Sequence, residues 1–264
     1  MTAHSADPGA HITPVVLTYN EAPNIARGLE SLRWARRVVV VDSESTDETE
    51  AIARTFPNVS WHTRPFDTHG SQWRFAIHDT GIDTEYVLAL DADYRVPAAF
   101  VDECRSRFLP GGYAGGIAAF DYEVLGRTLA GSVYPAKPVI FNPASLRIEQ
   151  PGHTQEMYVD GPMYTFEAHL VHDDRKSLDR FAASQLEYSR LEAIRLTSGN
   201  GARWQDRARR TGLMPIVVGV GSWLKAGGPF RGAAALRYAY ERVLFECLLA
   251  IRVLDSKRHE HRDD

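Results

Sequence analysis

Two carboxylates one residue apart, Asp91 and Asp93, close the stretch Tyr86-Val-Leu-Ala-Leu-Asp-Ala-Asp-Tyr94. Hard divalent cations such as Mg²⁺ or Mn²⁺ take carboxylate oxygens together with phosphate oxygens and water. Two carboxylates delivered to one end of a rigid element are therefore suited to hold such an ion against a diphosphate. The plainer alternative is a turn, since Asp is a common turn residue and Pro97 follows closely. The apolar run in front of the pair reads as a buried strand. In an open α/β sheet, ligands bind beyond the carboxyl ends of the strands.

Two further strands end in polar residues. Pro14-Val-Val-Leu-Thr-Tyr19 runs into Asn20-Glu21, and Val38-Val-Val-Val41 runs into Asp42-Ser43. Between them Asn24 is placed to cap a helix reaching about Trp34. Thr46 or Asp47 is placed to cap another over 48–55, with Glu48 and Glu50 in its first turn, where the helix dipole favours acids. A short strand over 58–62, a polar loop and a helix over 69–79 lead to the strand that ends at Asp91. This alternation of strands and helices with short loops predicts a doubly wound, mostly parallel sheet. All three strand ends then lie on one edge, and a site built from residues 18–21, 42–47 and 91–93 follows from the topology.

Pro97 opens a helix to about Phe108, and Gly115 to Phe120 reads as a strand. Pro135, Pro138 and Pro143 make 128–151 irregular. Gly152 to Glu156 is a polar knot, and Thr165 to Val171 is a further strand that ends in His172-Asp173-Asp174-Arg175-Lys176. A long helix follows over 178–196, with Phe181, Gln185, Tyr188 and Leu191 on one stripe and Glu187–Arg190 and Glu192–Arg195 as i,i+3 pairs. A basic helix spans 202–212. Leu213 to Leu224 is the longest apolar run, and Pro215, Gly219 and Gly221 break it. The last helix, 234–254, sets Leu236, Tyr240, Val243, Leu244, Cys247, Ile251 and Leu254 on one face and its charges on the other. Two environments suit that face: the globular domain, or a membrane surface. Trp223, Lys225, Phe230 and Arg231 flank the apolar run as residues do at a membrane interface.

The chain of 264 residues suits one large domain or one domain with an appendage, and its net charge of −4 implies no affinity for nucleic acid. The charge is uneven: Arg203 to Arg258 holds eleven Lys/Arg against four Asp/Glu, a basic tail suited to an anionic surface or substrate. Cys104 and Cys247 are too few and too far apart for a disulfide framework, and they fit a reducing compartment. Residues 1–11 are polar, show no leader pattern and are expected to fray. No apolar stretch reaches the ~18 residues of a membrane-spanning helix. Three regions are therefore expected: a disordered 1–11, an α/β domain over 12–197, and a helical, basic, amphipathic region over 198–264. Walker, Rossmann, zinc and Gly-x-Ser-x-Gly patterns are absent.

Three stretches, Val15-Val-Leu-Thr-Tyr-Asn-Glu21, Val40-Val-Asp-Ser-Glu-Ser-Thr-Asp47 and Leu88-Ala-Leu-Asp-Ala-Asp93, together resemble the family 2 (GT-A fold) inverting glycosyltransferases. The nearest likeness is to the bacterial branch with lipopolysaccharide core glucosyltransferases. His172 to Lys176 and Gln185-x-x-Tyr188-x-x-x-Glu192 also resemble that branch. The resemblance implies a GT-A type doubly wound sheet, a nucleotide-diphosphate sugar donor, Mg²⁺ or Mn²⁺, and a glycan or lipid-linked acceptor. The basic, amphipathic C-terminal region suggests a lipid-linked or lipopolysaccharide acceptor presented at the inner face of a membrane. That would place the protein in the cytoplasm, peripheral on the inner face of the cytoplasmic membrane, in cell envelope glycan synthesis. Position by position in the resemblance, Thr18, Tyr19 and Glu21 line the nucleoside, Asp42 and Ser43 meet the base, and Asp91 and Ala92 lie near the ribose or metal. Asp93 coordinates the metal. Arg74 is a candidate diphosphate contact where relatives carry a different triad, and His172 is a further candidate ligand or a strand-end cap. Inversion needs a base for the acceptor hydroxyl. The candidates are His153, Glu156, Asp173 and Asp174, and the resemblance favours Glu156.

Two rival readings make other demands. A sugar nucleotidyltransferase would carry a Gly-rich, basic loop after the first strand, where this chain has Thr18-Tyr-Asn-Glu21. A non-catalytic scaffold at a membrane surface would have no use for carboxylates at three adjacent strand ends.

Overall fold

The computed structural model describes residues 7–149, 156–197, 204–209 and 211–260. They fall into two compact units, Met1–Asp121 with Tyr134–Arg175, and Tyr122–Val133 with Lys176–Asp264. The division thus falls at 175/176, not at the expected 197/198, and a short internal segment joins the second unit.

The first unit opens with α1 (Pro8–His11), where a frayed end was expected. Asp7 caps it by accepting the Gly9 N–H at 3.1 Å, and Pro8 and Gly9 are buried. There follow β1 (Ile12–Thr18), α2 (Ile25–Glu30), β2 (Val38–Asp42), α3 (Thr49–Ala53), β3 (Val59–Thr63), α4 (His69–His78) and β4 (Tyr86–Asp91). Thr68 caps α4 by accepting the Ser71 N–H. β1, β2, β3 and β4 pair in parallel in the order β4-β1-β2-β3, as the alternation predicted. After β5 (Tyr94–Arg95), Pro97 is the N-cap of α5 (Ala98–Glu103), and a π turn carries the helix on to Phe108. Gly112, at φ +64°, ends the following 3₁₀ turn in the left-handed region that glycine adopts without strain.

The sheet is completed by β6 (Gly115–Ala118). The chain then runs through the hairpin of β7 (Phe120–Val124) and β8 (Arg127–Thr128) to β9 (Lys137–Phe141). β10 (Leu146–Glu149) and β11 (Glu156–Val159) form an antiparallel pair, and β12 (Met163–Thr165) and β13 (Leu170–His172) follow. The expected single strand over 165–171 is therefore two, serving different sheets: β12 pairs with β6, and β13 pairs with β5. The main sheet has seven strands in the order β12-β6-β9-β4-β1-β2-β3, with β9 alone antiparallel to its neighbours.

Because successive strand residues point to opposite faces, Val16, Val40, Leu88 and Leu90 pack against α2 and α5 through Ile25, Leu29 and Phe100. Val15, Val39, Val41 and Val87 pack against Trp73, Ala76 and Ile77 of α4. Both faces are dry, so the strands register firmly and their polar ends are fixed in space. Glu103 is buried in the first unit and accepts hydrogen bonds from Tyr164 Oη (2.7 Å) and from the N–H groups of Glu167 (2.9 Å) and Ala168 (2.8 Å).

The second unit is mainly helical: α6 (Leu178–Thr197), α7 (Trp204–Arg209), α8 (Met214–Lys225) and α9 (Gly232–Glu260). The expected i,i+3 pairs of α6 form, but its buried face is Gln185, Ser189, Glu192, Ala193 and Leu196, displaced from the predicted stripe. Glu192 and Asp206 bind Arg195, while Glu192 and Glu246 bind Arg209, a buried ion network. The 213–224 run is not broken. Pro215 sits in the first turn of α8, where its missing N–H leaves nothing unpaired. Gly219 gives the space for Val243, which a Cβ there would meet at 2.8 Å. The buried face of α9 includes Ala234, Ala235, Tyr238, Ala239, Leu249 and Val253, whereas Leu236, Tyr240, Ile251 and Leu254 of the predicted apolar face are exposed. Among the described residues, no helix is long and apolar enough to cross a membrane.

Candidate active site

In the parallel register Thr18 is level with Asp42, and Leu17 with Asp91, so the three strand ends do share one edge. Asp42 is 3% exposed. One of its oxygens accepts the Ser45 N–H at 2.7 Å and the other the Ser45 hydroxyl. Ser43 N–H donates to the Thr18 carbonyl at 2.9 Å, which ties β2 to β1 at this edge. Asn20 extends the tie. Its side-chain oxygen accepts the N–H groups of Thr46 (2.7 Å) and Asp47 (3.2 Å), and its own N–H donates to Ser45 Oγ at 2.6 Å. Asn20 and Glu44 both hold positive φ, 52° and 62°. Strained non-glycine backbone of this kind is kept only where surrounding contacts over-determine it. Beside this rigid loop Tyr19 is 53% exposed.

Gln72 of α4 donates to Ser43 Oγ at 2.8 Å and accepts from Arg64 Nη1 at 2.7 Å. Arg74, the predicted diphosphate contact, turns away from this edge and donates to the Ile148 carbonyl at 3.3 Å. Helical spacing explains the difference: Gln72 and Arg74 are two residues apart and face different sides.

Asp91 and Asp93 sit at the mouth of β4 with Ala92 buried between them. The Ala92 carbonyl lies against Gly28 of α2, where a Cβ would approach it to 3.0 Å. His172 Nε2 is 3.5 Å from Asp93 Oδ2, which brings the two predicted ligands together. The Asp173 N–H donates to the Asp93 carbonyl at 3.0 Å and fixes β13 to this turn. Lys137 of β9 was not singled out in the sequence. Its Nζ lies 4.0 Å from Asp91 Oδ2 and 3.1 Å from Tyr94 Oη, over the Tyr94 and Phe120 rings. Packing of protein around Asp91 pushes its carboxyl up. The Lys137 ammonium, with help from Tyr94 and His172, outweighs this and leaves it below the ordinary carboxylate range.

Asp173 is 4% exposed, and its carboxylate is held by Arg175 (2.9 Å), Arg27 (3.3 Å) and, at 4.0 Å, Arg95. Asn24 does not cap α2 with its side chain. It accepts from the Arg175 N–H (2.9 Å) and donates to Glu21 (2.8 Å) and Asp174 (3.0 Å), joining α2 to the end of β13. Nothing local marks Asp174 and Arg175 as partners, which lie some 150 positions away in the chain. Of Glu156 the structure describes the backbone, which opens β11 opposite Glu149. His153 lies outside the described residues.

No group of three or more His, Cys, Asp and Glu is assembled for a metal among the described residues. The donor set still fits a divalent ion. The Asp93–His172 separation of 3.5 Å is near that of two ligands on adjacent corners of one coordination sphere, each about 2.1 Å from the ion. The carboxylate suits Mg²⁺ and Mn²⁺ alike, and the imidazole is a weaker donor for either.

An α/β sheet with carboxylates at neighbouring strand ends on one edge is thus on hand, and comparison with known proteins gives its class. The model of the family described as glycosyl transferase family 2 matches residues 14–169, more than half of the chain. The chain belongs to that family. An uncharacterized glycosyltransferase of Rickettsia bellii (strain RML369-C) is 34% identical over 93 residues, 35% of this chain and 31% of that protein. The lipopolysaccharide core biosynthesis glycosyltransferase LpsC of Rhizobium meliloti (strain 1021) is 27% identical over 96 residues, 35% of each. These matches span about a third of the relatives' length. Among solved structures, S. aureus TarS 1–349 in complex with UDP-GlcNAc superposes with a TM-score of 0.51 at 15% identity, over 95% of this chain and 92% of that one. The fold is the GT-A type.

Proposed function

We propose that this chain transfers a sugar from a nucleoside diphosphate donor to a glycan or lipid-linked acceptor, with inversion at the anomeric carbon. The observation that carries the reading is the edge where Asp42, Asp91 and Asp93 meet, with His172 3.5 Å from Asp93, in a chain of this family. Asp42 and Ser43 receive the base, and Thr18, Tyr19 and Glu21 line the nucleoside. Asp93 and His172 would hold Mn²⁺ or Mg²⁺, with Asp91 and Ala92 at the ribose side. When bound, such an ion supplies charge neutralisation to the departing diphosphate. Lys137 offers a second positive charge at the same place, and Arg64 with Gln72 steadies the Ser43 loop. Glu156 is our candidate to take the acceptor hydroxyl proton, and Asp173 is a positioning residue. TarS was solved with UDP-GlcNAc, so uridine nucleotides are the first donors to test. The partial likeness to a lipopolysaccharide core enzyme supports a lipid-linked acceptor, with the protein working peripherally at the inner face of the cytoplasmic membrane.

The test is thermal shift and calorimetry with UDP, GDP, ADP and dTDP, each with Mn²⁺ or Mg²⁺, on wild type and Asp93→Ala. A ligand at 100 times its Kd stabilises the native state by about 2.7 kcal/mol. We expect one nucleotide to do so only with metal, and Asp93→Ala to lose the effect. Absence of binding by every nucleotide would overturn the reading.

A further inference from the structure

The α8–α9 hairpin carries a surface that the sugar chemistry does not use. Ile216, Val217, Val220 and Leu224 of α8 are all more than half exposed, and Phe230 in the connecting turn is 92% exposed. On α9, Leu236 and Tyr240 are exposed, and a groove lined in part by Ile216, Val220, Trp223, Leu236 and Tyr240 runs between the helices. Single exposed apolar residues are ordinary, but a contiguous patch of this kind on one hairpin needs an occupant.

The charge around the patch says which occupant. From Arg207 to Tyr240 the chain has six Arg or Lys and no Asp or Glu. Lys225 ends α8 and Arg231 ends the turn that presents Phe230. Both are exposed, and among the described residues neither has an ion-pair partner. The patch is therefore apolar in the middle, aromatic at Trp223, Phe230 and Tyr240, and cationic at the rim. A second copy docked face to face would set this rim against its own like charges, which is unfavourable. An anionic bilayer offers the opposite charge at the headgroups and an apolar layer beneath them, and aromatic side chains sit well at that boundary. α8, at 12 residues, is long enough to lie in such an interface and too short to span it.

We infer that the α8–α9 hairpin is a docking surface for anionic lipid bilayers, with Ile216, Val220, Leu224 and Phe230 entering the acyl boundary and Lys225 and Arg231 meeting headgroup phosphates. This rests on the membrane placement proposed above and is independent of which sugar is transferred.

The experiment is cosedimentation of the full chain with vesicles of phosphatidylcholine alone and of phosphatidylcholine with a quarter phosphatidylglycerol, at low and physiological salt. Wild type is expected to bind the anionic vesicles at least about tenfold more tightly than the neutral ones, with binding weakened by salt. Lys225→Gln with Arg231→Gln should remove most of that preference. Ile216→Ser with Val220→Ser and Phe230→Ser should lower binding about tenfold or more at either salt. Metal-dependent nucleotide stabilisation, measured on the same samples, should be unchanged in both variants and shows that they are folded. Equal binding of wild type to neutral and anionic vesicles overturns the inference with no variant needed. So does a wild-type dimer in sedimentation equilibrium that the serine variant dissolves, which would make the patch a self-interface. Loss of nucleotide binding by wild type bears on the sugar-transfer reading alone.

Discussion

Asp173→Asn separates a positioning role from a basic one. The substitution keeps size and shape and removes one charge from the group that Arg175 Nη2 reaches at 2.9 Å, Arg27 Nε at 3.3 Å and Arg95 Nε at 4.0 Å. The amide keeps one acceptor oxygen but turns an NH₂ toward guanidiniums that already donate. Hydrogen bonds to charged groups contribute about 1.5–3 kcal/mol each, and breaking a fully buried pair costs about 3–5 kcal/mol. The full cost does not apply here, because the three arginine side chains are 26–53% exposed and can recover water. About 2–3 kcal/mol is the expected loss. At about 2–4 °C per kcal/mol for a chain of this size class, the melting temperature should fall by roughly 5–10 °C.

The assay pairs thermal unfolding by circular dichroism with turnover measured well below the onset of melting. A positioning residue predicts the fall in stability with turnover reduced less than about tenfold, and Arg175→Ala should show a smaller version of the same pattern. A general base predicts unchanged stability and a loss of turnover of about 10²–10⁴-fold. That second result would refute the assignment of Asp173 to the arginine clasp and return it to the list of bases.

Two other perturbations follow from the same geometry. Burial pushes the Glu103 carboxyl up, but the Glu167 and Ala168 N–H groups and the Tyr164 hydroxyl outweigh it and hold the folded value below the ordinary one. Its stabilisation is therefore complete above the unfolded pKa, about 4.3, and is lost as pH falls through the lowered folded value. Glu103→Gln should cost about 2–4 kcal/mol at pH 7, since its NH₂ would face a backbone donor, and urea titrations from pH 7 to 3 should show a shallower acid loss than wild type. Gly28→Ala would press a Cβ to 3.0 Å from the Ala92 carbonyl and 3.2 Å from that of Tyr94. Calorimetry should show nucleotide binding weakened about three- to tenfold with modest loss of stability, the displaced turn being the one that bears Asp91 and Asp93; unchanged affinity would separate that turn from the ligand.

The edge that carries Asp42, Asp91 and Asp93 was legible because two kinds of information coincide there. Apolar runs such as Val38 to Val41 mark buried parallel strands, and a parallel sheet puts their ends together whatever the side chains do in detail. The clasp on Asp173 and the Asn24 hub were not legible. A lone Asn before a helix looks the same whether its amide caps that helix or reaches a residue 150 positions away. Arg74 meets the Ile148 carbonyl instead of the strand-end edge for a related reason: periodicity fixes which residues share a helix face, but not which loop that face will meet.

The apolar face of α9 shows a different limit. Periodicity weights large apolar residues, so it groups Leu236, Tyr240, Ile251 and Leu254 on one face without fixing whether that face meets the domain or a membrane surface. The helix buries Ala234, Ala235 and Ala239 along with Tyr238, Leu249 and Val253, and small residues let helices approach closely, as Gly219 does on α8. Where small residues make the contact, neighbouring large ones such as Leu236 and Tyr240 are left outside. Exposed apolar side chains grouped in this way are costly in water and favourable beside a second apolar phase. The exposed large residues of α8 and α9, left outside by the close approach of small ones, are the surface on which the proposed bilayer contact rests.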